Sequence, residues 1–514
     1  MHQHSTFPGP LWLLGGLTLM PIFAANAAVA TWTSTTGSPA AWATPGNWTP
    51  SVIGGVAEGD EVIIQSDIGV AYTINLGAIR TMGKLTVGDV TNSSHGFTLA
   101  PSGGSITFDQ TGADTALLGF TSGISNTISA PIALQSPLRV YATSTTPAIV
   151  QNLSGALSGS LPLRFDNDDG ITPAGPSLTA GIFSLSSSTT SHSGGITIDD
   201  VRVAATNVAS FGTGTVTVAN GGQAWLNVGG TFANAFDLTG IGWTESSGNL
   251  GAIRMAPNAI IGGNVNITGA AGDSDGNAAD ASIFMPATDS NPANGTINGV
   301  ISGGDFRFGV TGATSSSWSG PETLTLTNAN TYGDTIVQPP DVPTSGQTTL
   351  VIGGSANTTA TLGTGNVYLF GGTNGKLAAL RIQRTNGYAL TQDISSLGNT
   401  AKTAMLVDCQ GTGLALNGHS ITVGEQLRLG TNANNTSLTV NSGSQINAGQ
   451  IFTGNAANNS STVTQTGGAV AVTGEVRIAN AATESSVWNM SGGTLTLSGT
   501  PTDNPYFTAT TPPV

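Results

Sequence analysis

Residues 427–499 read LRLGTNANNTSLTVNSGSQINAGQIFTGNAANNSSTVTQTGGAVAVTGEVRIANAATESSVWNMSGGTLTLSG, and this stretch contains three copies of one unit. Gly430, Gly454 and Ala479 form a first set of markers, with steps of 24 and 25 residues. Gly443, Gly467 and Gly492 repeat those steps, and Gly449, Gly474 and Gly499 are spaced by 25 and 25. Around the markers apolar residues alternate with polar ones: Leu427/Leu429, Val470/Val472, Val476/Ile478 and Leu495/Leu497. Alternation points successive side chains to opposite faces, which is the pattern of a strand. A strand–turn–strand unit of this length leaves one apolar face and one sheet edge open. The next copy covers both, so the expected architecture is an all-β solenoid.

Composition agrees. The 514 residues include 72 glycines, only 8% are charged, and 38% are hydrophobic. Disorder is signalled by low hydrophobicity with high net charge. Here the apolar residues sit in alternating strands, and the glycines serve tight turns. Residues 28–127 hold the first strands: Glu58–Ile64 is a turn entering a strand and Thr73–Leu76 begins another, preceded by Trp32, Trp42 and Trp48. This region is expected to form an N-terminal cap, because a solenoid end exposes unpaired edges. The tryptophans are assigned to packing in that cap; a sugar-stacking platform is the alternative. Residues 128–400 carry a longer, looser unit. The segment from Phe211 to Val218 recurs from Leu362 to Leu369, and each runs on to a glycine pair. The insertion 272–294 and the Pro-rich run 338–347 are read as loops. Residues 401–499 hold the short units, and 500–514 a disordered tail. At about 25 residues per turn the chain after residue 27 makes on the order of 20 turns, a rod of roughly 95 Å.

Leu11 to Phe23 is an apolar core, and Ala25-Asn26-Ala27 fits a small-x-small cleavage site, although no Lys or Arg precedes it. The expectation is a Sec-type signal peptide over 1–27 and a secreted or outer-surface protein. No later stretch is apolar enough to span a membrane. The formal net charge of −15, with basic residues scattered singly, excludes nucleic acid as a partner. The single cysteine, Cys409, has no partner for an internal disulfide and is read as a small buried side chain.

Several stretches resemble the autotransporter-associated β-strand repeat: Leu324 to Tyr332 followed by Gly333 and Thr335-Ile336-Val337, Leu362 to Val367, and Ile297 to Gly304. Asp334 stands where the repeat has a glycine. The units of 427–499, and the run Trp42 to Asp60, are similar to large secreted proteins of planctomycete-like and verrucomicrobial bacteria. The resemblance implies a right-handed parallel β-helix displayed outside the cell. It also implies a C-terminal barrel, or a Pro-Glu-Pro sorting module, which the residues to Val514 do not contain; release or continuation past Val514 is expected.

Chemistry is sparse. His95, His192 and His419 lack metal-ligand spacing. Neither a nucleophile elbow nor a phosphate-binding loop is present. Asp199-Asp200 with Arg202 is the best local carboxylate group for polysaccharide chemistry, but lacks a polygalacturonase signature. Two acidic loops have the alternating oxygens of a calcium site: Asp166 and Asp168 before Gly170, and Asp273 and Asp275 before Gly276. Asx-turns explain them equally. Calcium is the one cofactor this chemistry admits, and no catalytic residue is assigned. The expected role is structural or adhesive and non-catalytic, with extracellular polysaccharide or cell-surface components as partners; oligomeric state is not legible. A polysaccharide-active lyase or hydrolase is the alternative, with Arg381 and Arg384 as the basic pair to test. A third reading is a carbohydrate-binding rod, which requires Trp225, Trp243 or Trp488 to face outward.

Overall fold

The computed structural model describes residues 27–498, apart from 92–94, 122–123, 144–148, 168–181, 246–247, 269–279, 288–290, 311–317, 342–345, 373–374, 455–458 and 480–484. The alternating stretches are strands, and nearly every strand pairs in parallel with its equivalent one turn away. One early turn shows the plan. Lys84–Val87, Phe97–Ala100 and Ser105–Phe108 follow each other around the axis. Ala116–Phe120 then returns to lie beside Lys84–Val87. Three strands per turn build three faces, and about fifteen turns complete the β-solenoid.

The register explains the core. On the first face Val62, Leu85, Leu118, Val140, Phe165, Ile198, Val218 and Leu238 occupy one inward column, one residue per turn. All are buried within a single continuous apolar cluster that runs the length of the stack. Each turn therefore hides the apolar face of its neighbours, which no single turn can do alone. Turn length runs from 20 residues (Ile198 to Val218) to 36 (Ile267 to Gly303). Longer turns, bulging at the corners, make the turns fewer than the short unit implies.

The short unit is clearest between 403 and 498. Positive φ falls on Gly418, Gly443, Gly468 and Gly493, each 25 residues from the last, so the unit repeats once more than the sequence markers suggest. Gly467 and Gly492 are the neighbours of the true turn positions. Gly424, Gly449 and Gly474 form a second ladder for a different reason. A Cβ on Gly449 would lie 2.1 Å from the Gly424 carbonyl oxygen, so one turn's backbone rests on the next. Leu438, Val463 and Trp488 share one column, which places Trp488 half-buried against the core.

One loop expectation needs correction. Within 272–294, Ala281–Phe284 is a ladder strand whose four residues are all buried, and Ala293 begins another. Only two apolar residues per strand need point inward, so a short strand does not stand out from a polar insertion. The Pro-rich run does lie between strands Thr335–Gln338 and Gln347–Gly353. Trp32, Trp42 and Trp48 are fully buried and pack edge to face with one another, Trp32 to Trp48 at 5.0 Å and Trp42 to Trp48 at 4.9 Å. They form core, not a sugar platform. Beside them Trp48–Thr49 pairs antiparallel with Val29–Trp32 at the edge of the first face. At the other end Ser485–Leu497 is the last described strand; Val487, Met490 and Leu497 are about half exposed there. Residues 1–26 and 499–514, where a signal peptide and a tail are expected, lie outside the described residues.

Candidate functional site

Most carboxylates that suggest chemistry are engaged in holding turns together. Asp305 N–H donates to Asp280 Oδ2 (2.8 Å), Asp334 N–H to Asp305 Oδ1 (2.6 Å), and Asn366 N–H to Asp334 Oδ1 (2.7 Å). Each acid satisfies the backbone of the following turn. Asp334, which stands in place of a repeat glycine, is thus a rung of this ladder. Asp408 likewise accepts from Thr431 N (2.7 Å), Thr431 Oγ1 (2.7 Å) and Asn432 N (2.9 Å).

The named candidates separate. Asp199 accepts from Arg164 and from Asn220 Nδ2 (2.8 Å) on the first face, while Arg202 pairs with Glu245 on the second. The Asp199-Asp200-Arg202 group is not brought together. Asp166 is buried, and Arg139 Nε and Arg164 Nε both donate to its carboxylate at 2.8 Å. Its oxygens are thus committed to two guanidinium groups. Asp168, Asp273 and Asp275 lie outside the described residues. Among the described residues no group of three His, Cys, Asp or Glu could hold a metal ion. Arg384 is spent on the carbonyls of Ala360 (2.9 Å) and Thr358, and Arg381 faces Asp408 (3.5 Å). Beside them Gln383, Gln410 and Asn434 line a groove of about 180 Å³. That is small against the several hundred Å³ of an ordinary ligand pocket.

A different arrangement occupies the outside of the second face. Thr73, Thr98, Thr127, Asn152, Ser184, Ala204, Trp225 and Arg254 stand in one outward column, one per turn. All but Ala204 are half-exposed. The column is a track of hydroxyl and amide groups ending on an indole and a guanidinium. Arg254 lies over the Trp225 ring at 4.6 Å, and Arg202, from the turn before Trp225, at 5.3 Å. Such stacking is worth about 0.5–2 kcal/mol.

A small excursion closes the cluster from above. Gly240, Gly242 and Gly251 have positive φ and let the chain leave the face and return as an antiparallel pair, Thr244–Glu245 with Gly248–Asn249. Asn249 locks its base, donating to Gly242 O (3.1 Å) and accepting from Gly251 N (3.1 Å). The excursion sets Trp243 5.7 Å from Arg202 and places Glu245 on the Arg202 fork. Trp243 is buried, and Trp225 faces out. Burial, with Arg202 alongside, pushes Arg254 down to about 10, and Glu245 pulls the other way. The group stays cationic at neutral pH. Sequence reasoning missed Arg254 because its partners come from separate turns and only the register brings them together.

This geometry is that of a parallel β-solenoid with a polar, hydrogen-bonding flank. No protein-family model, curated protein or solved structure matches the chain. Among the described residues no helix is long and apolar enough to cross a membrane.

Proposed function

We propose that the protein is a non-catalytic structural and adhesive rod, exported by the segment 1–27 and displayed outside the cell. One observation carries the reading. The outward column offers hydroxyl and amide groups at one strand spacing, about 4.8 Å, over the five successive turns from Thr73 to Ser184, and ends three turns later on Arg254. A regular polar track suits a long, hydroxyl-rich partner better than a single small molecule. The carboxylates give further support, because the Asp280–Asp305–Asp334 series and Asp408 are engaged in turn-to-turn bonds. The test pairs location with activity. Intact cells are treated with protease and probed for the rod, and purified rod is incubated with plant and algal polysaccharides. Surface-accessible protein that retains glycans without new reducing ends or unsaturated sugars is the expected result. Release of such products would replace this reading with the lyase or hydrolase alternative.

A further inference from the structure

Arg254 is an anomaly among the outward arginines. Arg477 has Glu475 at 2.9 Å, Arg428 has Gln426, and Arg139 and Arg164 share Asp166. Arg254 is half-buried and makes no hydrogen bond or ion pair with any described residue. Its Nε is fully enclosed. Arg202 Nε and Trp243 Nε1, in the same cluster, are also enclosed and without an acceptor. A buried donor left unsatisfied costs about 1–3 kcal/mol. None of the three has an acceptor among the described residues. The terminal nitrogens of Arg254 are not enclosed and make no hydrogen bond to a described residue, so they are the donors open to an acceptor from outside.

The chemistry of that acceptor follows from its surroundings. Arg202 is already paired with Glu245, so the guanidinium that calls for an anion is that of Arg254. A carboxylate matches the guanidinium fork with paired hydrogen bonds. Nucleic acid is disfavoured by the net charge of −15. The approach to Arg254 is the column Thr73, Thr98, Thr127, Asn152 and Ser184, which is uncharged and rich in hydroxyls. Both cations already lie against the Trp225 ring, so the indole holds them and is not a platform for a neutral sugar. We infer that Arg254, held by Trp225 beside Arg202 and Trp243, binds the carboxylate of an acidic polysaccharide whose chain lies along this outward column. The inference rests on the adhesive reading and names its ligand class.

The test uses the full chain and polygalacturonate, with the fully methyl-esterified polymer as the uncharged control. Binding is followed by titration calorimetry at low and moderate salt. Wild type binds the acid polymer and not the ester, and added salt weakens the binding. Arg254→Gln lowers affinity about tenfold or more, the loss of a charge-assisted contact. Arg254→Lys retains part of it, because the charge stays and the fork is lost. Should Arg254→Gln prove unstable, Thr127→Glu gives an independent reading: a negative charge on the half-exposed column weakens the acid polymer and leaves the melting temperature unchanged. Equal affinity in wild type and Arg254→Gln, equal binding of the ester, or no binding of polygalacturonate by wild type would each overturn the inference. Retention of neutral glycans with no Arg254 effect would leave the adhesive reading standing. Cleavage of the polymer would remove that reading even if Arg254 proved important.

Discussion

Lys376 Nζ lies 3.0 Å from Glu322 Oε1, and both side chains are wholly buried. The pair sits beside the ladder on the third face, where Glu322 is opposite Thr348 and Gln347 opposite Leu377. Its remaining valences are largely filled: Lys376 also donates to Trp318 O (3.0 Å), and Thr348 Oγ1 donates to Glu322 Oε2 (2.8 Å). Removing two charges from water is costly, and the attraction between them offsets that cost only when such extra bonds are present.

Breaking the pair should therefore be worse than replacing it. Lys376→Met alone is expected to destabilise the surrounding turns by about 3–5 kcal/mol, and the double variant with Glu322→Leu to recover most of that. Burial already raises the Glu322 carboxyl, against the pull of Lys376 and Thr348. A carboxyl raised on folding stabilises the fold most at low pH, and that contribution is lost as pH climbs from its unfolded to its folded value. Without Lys376 the rise is larger. The melting deficit of Lys376→Met should shrink as pH falls from 7 to 5; a deficit independent of pH would show that the cation matters only as packing.

Asp305 should act as an acceptor rather than as a charge. Asp305→Asn keeps an oxygen for the Asp334 N–H, whereas Asp305→Ala orphans it at a cost of about 1–3 kcal/mol. Amide exchange at Asp334, read by mass spectrometry, should quicken in the alanine variant and stay near wild type in the asparagine one.

Ala479 occupies a left-handed position, φ 60°, where the two preceding units have Gly430 and Gly454 at 71° and 65°. A Cβ there is strained by about 1–2 kcal/mol, partly offset by the greater freedom glycine loses on folding. Ala479→Gly should raise the melting temperature slightly, and Gly454→Ala should lower it. Opposite signs would mean the turn is held by something other than backbone preference.

Cys409 is fully enclosed, and burial pushes its thiol up to about 12. The thiolate is the reactive form. The native protein should resist iodoacetamide at pH 8 over hours and react once unfolded in denaturant. Prompt labelling of folded protein would indicate that the turns around Ile382 and Cys409 open.

The fold was legible because it depends on alternation and period, which survive in one dimension. Leu427, Leu429, Val470 and Val472 all point inward as the pattern requires. What was lost is what depends on register. The markers Gly443 and Gly492 lie 49 residues apart and would set Thr439 against Trp488, whereas Leu438 is the true counterpart, and a one-residue slip exchanges inside for outside. The candidate site suffered most. Asp199 and Arg202 are neighbours in sequence but belong to strands on different faces, so proximity misled. Arg202, Trp225 and Arg254 come from three successive turns of unequal length and meet only through the register.

The evenly spaced glycines from Gly418 to Gly493 also bear on heredity. A tandem duplication or loss of one such unit stays in frame and returns every column to its own phase, whereas a change by one residue inverts the strands beyond it. Gain or loss of a whole unit would thus yield alleles that differ in rod length by whole turns while keeping the same cross-section. Rod length would then be a trait adjustable in steps, independently of the outward column on the earlier turns.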